Sequence, residues 1–245
     1  MTAARALDCL PRRSPLLADL VALDARFAHC GSDATEAAVA ESIPGASSTG
    51  APGVALVDLS PLPRAGFKGA DTAAWLTRRG LDPLPPPNQA RAHPEGGLIA
   101  RLAPGEVLLL PDPLATIAPW IDALEQARAG DDVAGLCFPV PRADSHGWVA
   151  LIGPRAPDTL ATLCGVDLRP HRFPDLAVAQ TSVARLWAIV IRVDRPTAGG
   201  EPSDDGQALC YHLLADWASI RGLWDSLLDA MQAFGGRPAG RSVLG

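Results

Sequence analysis

Apolar residues recur along this chain with two periods, and the alternation between them lays out the elements. Leu16, Leu17, Leu20, Leu23 and Phe27 repeat at three and four residues, which predicts a helix near the N-terminus. SIPGASSTGAPG (42–53) breaks the pattern with Ser, Gly and Pro and reads as a flexible linker. GVALVDLS (53–60) predicts a strand, and GADTAAWLTRRG (69–80) a short helix that stops at Gly80. DPLPPPNQARAHPEGG (82–97) predicts a proline-rich loop, and LIARL (98–102) and EVLLL (106–110) two strands joined by an APG turn. Leu114, Ile117, Ile121, Leu124 and Arg128 describe an amphipathic helix after them.

The same order then returns. GWVALIG (147–153) predicts a strand, and PRAPDTLATLC (154–164) a helix with Pro154 in its first turn, where Ala156, Leu160, Leu163 and Cys164 share a face. AVAQTSVARL (177–186), WAIVIRVD (187–194) and ALCYHLLAD (208–216) predict strands, with a polar loop over 195–207. Ile220, Leu223, Trp224, Leu227, Leu228, Met231 and Phe234 form a helical stripe ended by Gly235 and Gly236. Gly69 lies 84 residues before Gly153, Leu76 84 before Leu160, and Ile99-Ala100-Arg101-Leu102 84 before Val183-Ala184-Arg185-Leu186. Trp120 and Leu124 lie 104 before Trp224 and Leu228, the increase falling where the 195–207 loop is inserted. This predicts an internal duplication of a strand, helix, two strands, helix unit. The fold class is therefore α+β, with antiparallel sheets packed about a pseudo-twofold axis. The expected layout is a helical extension and linker (1–52), a domain of two pseudo-repeats (53–236, halves about 53–130 and 136–236), and a C-terminal tail (237–245).

Composition narrows the class. The 245 residues are 48% hydrophobic, enough for a core, and carry a net charge of -6 with no basic run, which excludes a general nucleic-acid binder. No run of eighteen apolar residues predicts a membrane span, and MTAARALDCLPRRSP lacks the layout of a secretory signal, so a soluble cytoplasmic protein is expected. Five cysteines (9, 30, 137, 164 and 210) without a CxxC pair suit reduced thiols. His29 and Cys30, with Cys9 as a third candidate, supply the residue types for half of a metal site; no second pair at ligand spacing completes it, and no metal is expected.

Candidate chemistry concentrates in LCGVDLRPHRF (163–173). Cys164 continues an apolar helix face and Gly165 fits the helix stop, so packing explains both. Proline at 170 holds Arg169 out of helical geometry, which places His171 and Arg172 on a loop over the sheet. Arg169, His171, Arg172 and Phe173 are read as a partner contact ahead of a solvated loop, and both ahead of a small-anion site. Ser145-His146 beside Asp144 supplies triad residue types, but sequence neighbours rarely face one another productively, and GxSxG and GxGxxG are absent. GFKGA (66–70) lacks phosphate-loop spacing, and Asp204-Asp205 read as solvating charges. No catalytic set is expected.

One resemblance goes further. GPRAPDTLATLCGVDLRPHRFPDLAVAQTSVARLWAIVIRVD (153–194) resembles the gamma subunit of heterotetrameric sarcosine oxidase in its GPxA helix start, helix ending in Cys, DLxPxxF segment and QTxVAxL strand. YHLLADWASIRGLWDSLLDAMQAFGG (211–236) is similar to that family's end, and RLAPGEVLLLP (101–111) to one of its strand pairs. GFKGADTAAWL (66–76) is similar to the first helix of the related folate-binding aminomethyltransferases. The resemblance covers about 54–236 and not the N-terminal fifty residues. It implies a non-catalytic subunit docked on a large alpha subunit, in a complex that oxidises an N-methyl amino acid and passes the one-carbon unit to tetrahydrofolate. FAD, FMN, NAD, zinc and tetrahydrofolate would then sit on other subunits, with none bound by this chain. The Asp-rich catalytic motif of the aminomethyltransferases has no counterpart here. The alternatives are a stand-alone folate-binding protein and a subunit of an N-methylglutamate dehydrogenase-type complex.

Overall fold

The computed structural model describes residues 7, 9–31, 36–45, 53–196 and 207–245. Helix α1 (Leu17–Ala22) and the hairpin β1 (Arg26–Cys30) and β2 (Ala37–Ser42) precede the duplicated body. The body runs β3 (Ala55–Asp58), β4 (Ala65–Lys68), α2 (Thr72–Arg78), β5 (Gln89–Ala92), β6 (Leu98–Ala103), β7 (Glu106–Leu110) and α3 (Pro119–Ala129). It continues with β8 (Phe138–Val140), α4 (Arg142–Ser145), β9 (His146–Ile152), α5 (Ala156–Ala161), β10 (Val178–Val183) and β11 (Leu186–Arg192). The short pair β12 (Arg195–Pro196) and β13 (Gln207–Ala208), then β14 (Cys210–Asp216), α6 (Ile220–Gln232), β15 (Arg237–Ala239) and a 3-10 turn (Arg241–Leu244) complete it.

Two sheets result, ordered β5-β6-β7-β4-β8 and β10-β11-β14-β9-β3-β15. Their inner faces meet in one core, where Leu98, Ala100, Leu108 and Leu110 oppose Trp148, Ala150, Ile189 and Leu214. Alternate residues of the same strands point outward: Ile99 and Leu109 pack with α2 and α3, and Val149, Val190 and Leu213 with α5 and α6. Strands buried on both faces explain the nearly unbroken apolar runs in EVLLL and WAIVI. The architecture is therefore helix, sheet, sheet, helix, in the α+β class with antiparallel pairing between all neighbouring strands of the sheets except β15 and β3.

The duplication is legible in the topology. β4, β5, β6 and β7 occupy the same places in their sheet as β9, β10, β11 and β14 in the other. Gly69 and Gly153 end the equivalent strands at φ +141° and +127°, backbone that suits glycine, and Leu76 and Leu160 are the equivalent fully buried helix residues. Trp120 and Leu124 lie in α3 as Trp224 and Leu228 do in α6, but one expected match is corrected. Ile99-Ala100-Arg101-Leu102 lies inside β6, whereas Ala184 and Arg185 form the turn between β10 and β11 with positive φ. The match there reflects shared apolar composition and not position.

Several boundaries differ from the sequence reading. The N-terminal helix stops at Ala22, and Phe27 belongs to a strand, because Asp24 adopts a left-handed turn. The proline-rich loop contains β5, and β4 and β8 were not anticipated; each is only three or four residues long, too short for a period to register. Leu114 and Ile117 lie outside α3, which begins at Pro119, where a missing N–H costs nothing. Residues 237–245 are no free tail: Arg237–Ala239 pair with β3, and Leu244 is buried. Ser42 closes a strand and Ile43 is buried, while 46–52 of the expected linker and 197–206 of the polar loop lie outside the described residues.

The strand preceding each repeat crosses to the opposite sheet. β3 leads into β4 yet pairs with β9, and β8 leads into β9 yet pairs with β4. Buried Arg64 holds the two crossings together. It donates to Ser60 O and Leu62 O on its own segment (3.0 and 2.7 Å) and to Ala143 O (3.2 Å) and His146 O on the other. Ser60 adds bonds to the main chain of Trp148.

Candidate functional site

The 163–173 segment is built by partners beneath it. Tyr211 donates its hydroxyl to Leu168 O (2.7 Å), and buried Arg192 donates to Phe173 O (2.8 Å) while pairing with Asp194. Phe173, 7% exposed, lies in the core parallel to Tyr211 at 6.5 Å. It anchors the loop from below and offers no surface to a partner. Arg169 forms a two-pronged pair with Asp167 (2.8 and 2.7 Å), and His171 approaches the same carboxylate at 3.8 Å. The Arg169 guanidinium holds the Asp167 carboxyl well below the usual carboxylate range. Arg169, His171 and Arg172 remain exposed on this shaped loop. Cys164 packs in the core as expected.

Ser145 and His146 do touch, at 2.8 Å, against the expectation from their adjacency. The arrangement nevertheless leaves no nucleophile. Arginine can only donate, so the contact of Arg142 Nη1 with His146 Nε2 (3.1 Å) leaves that nitrogen unprotonated and puts the proton on Nδ1. Nδ1–H donates to Ser145 Oγ, whose own proton goes to Pro141 O (2.9 Å). Burial, with Arg142 and Arg64 nearby, pushes the His146 imidazole down to about 4. Arg142 also pairs with Glu106, which holds Lys68 at 2.9 Å. The GFKGA lysine is thereby an ion-pair partner at the end of β4, and its two leading residues are strand, not loop.

His29 and Cys30 do not converge on a metal. They are neighbours on a strand and face opposite ways: the His29 imidazole is exposed and meets Glu36 at 3.2 Å, whereas Cys30 is buried and its thiol pushed up to about 11. Cys9 is exposed. Among the described residues no group of three or more His, Cys, Asp or Glu is placed to hold a metal ion, and no helix is long and apolar enough to cross a membrane.

A cavity of about 240 Å³ opens between the sheets. His93, Asp112, Trp148, Arg195 and His212 contribute its polar lining, and Leu98, Pro111 and Val193 its apolar walls. The sequence reading missed all five polar residues. They come from separate segments, and only the alternation of His212 with inward-facing Leu214 placed any of them on the inner face. Trp148 Nε1–H donates to His212 Nδ1 (3.1 Å), and burial pushes this imidazole down to about 3. His93 stacks on Trp120 with centroids 4.0 Å apart. Asp112 Oδ1 accepts from Leu114 N (2.9 Å) and Arg195 Nη2 (3.3 Å).

No protein-family model matches the sequence, and no curated protein matches it. Solved structures do match. A chain of the heterotetrameric sarcosine oxidase from Corynebacterium sp. U-96 superposes with a TM-score of 0.60 at 20% identity, over 91% of this chain and 96% of that one. The glycine cleavage system aminomethyltransferase T from Bartonella henselae superposes with a TM-score of 0.64 at 15% identity, over 95% of this chain. This chain spans only 60% of the aminomethyltransferase's length. The fold is thus the mixed α+β, antiparallel fold that these two enzymes of amine and one-carbon chemistry share.

Proposed function

We propose that this chain is a non-catalytic structural subunit, of the gamma type, in a multi-subunit flavin-dependent complex like sarcosine oxidase. The complex would oxidatively demethylate an N-methyl amino acid and pass the one-carbon unit to tetrahydrofolate. The observation that carries this reading is the end-to-end match to one chain of a heterotetrameric oxidase, 91% of this chain against 96% of that one. A match over nearly the whole of both chains favours an equivalent part over a fragment of a larger enzyme. The occupied Ser145–His146 pair agrees with a supporting role. FAD, FMN, NAD, zinc and tetrahydrofolate belong on the other subunits in this reading. The exposed Arg169, His171 and Arg172 face the large alpha subunit.

The stand-alone folate-binding reading draws on the match to the aminomethyltransferase. The cavity does not fit it. Its volume of about 240 Å³ falls below the roughly 300–1,000 Å³ of pockets for drug-sized ligands, and folate is at least that large.

Tagging the chain in its native host and purifying it gently tests the proposal. Recovery of larger proteins with flavin absorbance and N-methyl amino acid oxidation is expected, and screening amines then names the substrate. A lone chain without flavin would overturn it.

A further inference from the structure

We propose that the cavity between the sheets binds a small zwitterionic amino acid, its carboxylate held by Arg195 and the Nε2–H groups of His93 and His212, its ammonium by Asp112. The inference is independent of the subunit assignment and rests on the valences the protein leaves open.

His212 is almost fully buried, and an indole can only donate, so its Nδ1 lone pair is occupied by Trp148 and its proton lies on Nε2. That Nε2–H has no protein partner among the described residues. On the cavity wall this donor is open to an acceptor from outside the chain. His93 repeats the arrangement: Glu95 N–H donates to its Nδ1 at 3.2 Å, leaving Nε2–H as the donor, and Trp120 holds the ring flat. Arg195 commits Nε to Leu244 O (2.6 Å) and Nη2 to Asp112, and its Nη1 has no partner among the described residues. Asp112 commits Oδ1 and leaves Oδ2 open.

Charge then selects the ligand. Both imidazoles are held below their ordinary values by burial, so the histidines donate as neutral groups at pH 7. Arg195 and Asp112 cancel. A simple anion is attracted by Arg195 and opposed by Asp112; a simple cation meets the reverse. A zwitterion satisfies both, and uses the open donors for its carboxylate. Leu98, Val193 and Pro111 suit a short aliphatic side chain, and the volume of about 240 Å³ excludes large ones.

The test is titration of the full chain with glycine, L-alanine, L-valine and L-proline, against propionate and propylamine as single-charge controls. Thermal shift and the fluorescence of Trp148 report binding. Amino acids are expected to raise the melting temperature and change the fluorescence, and the controls to do neither. Asp112 is at the cavity's more exposed side, so Asp112→Asn should fold. It is expected to weaken L-alanine by about tenfold or more and to strengthen propionate. Propionate binding the unaltered chain as tightly as L-alanine would overturn the proposal, as would no response to any amino acid at about 10 mM.

Discussion

Arg64 shows how one buried charge is held chiefly by the main chain. Its guanidinium is fully buried, and its Nη1 and Nη2 donors go to main-chain carbonyls of two crossing segments, while Nε has no partner among the described residues. Burial lowers its affinity for the proton to about 9, still above neutrality. Arg64→Ala would strand those carbonyls, and a loss of about 3–5 kcal/mol is expected by urea denaturation. The histidines give a pH signature. His146 and His212 have folded-state pKa values of about 4 and 3, below the ordinary 6.5, so the unfolded chain binds more protons in between. Their contribution is complete above pH 6.5 and declines as pH falls toward 4 and then 3. Denaturation at pH 7, 6 and 5 should show falling stability, with a shallower slope for His146→Gln. None of this was legible in the sequence, because Arg64 and His146 meet across 82 residues.

At the scale of elements, helices and long strands were legible and short strands were not. The stripe over 220–234 matches α6 to within two residues, and EVLLL is β7 without correction. β4, β5 and β8 owe their existence to neighbours that pair with them, and no local period encodes that. The two glycines that begin the helices are a sharper signal. A Cβ on Gly69 would sit 1.9 Å from Leu136 O, and on Gly153 2.7 Å from Gly53 O, whereas Gly80, at φ +91°, has open space. Gly80→Ala should cost only the left-handed strain of about 1–2 kcal/mol. Gly69→Ala should cost clearly more, and comparing the two midpoints in urea checks the order. The 163–173 loop was half legible: Arg169 and Pro170 predicted its exposed shape, but Phe173 looked equally available and is a core residue.

At the scale of the whole molecule, the described segments that flank the repeats are part of the body. Leu16 and Leu20 enter the outer core beside α6, and Arg241 joins the C-terminal turn to Glu41 at 2.6 Å and to Ala115 O at 3.0 Å. A chain ended after Gly236 loses β15, uncovers the edge of β3 and opens the pocket that Leu244 fills. Such a truncation should be less stable and prone to association, measured by light scattering and melting temperature. The resemblance to the oxidase subunit read in the sequence left residues 1–52 aside; the burial of Leu16 and Leu20 could not be inferred, because it depends on surfaces supplied two hundred residues later.

The reciprocal crossing of β3 and β8 has a consequence for how the protein comes apart. A chain cut near 131–137 yields two pieces, each holding a strand that the other's sheet needs: β3 between β9 and β15, and β8 beside β4. Neither half is a free-standing module despite its repeated plan. Duplication here has produced mutual dependence: the repeats are expected to melt as one cooperative unit, and severed halves to regain structure only by finding each other.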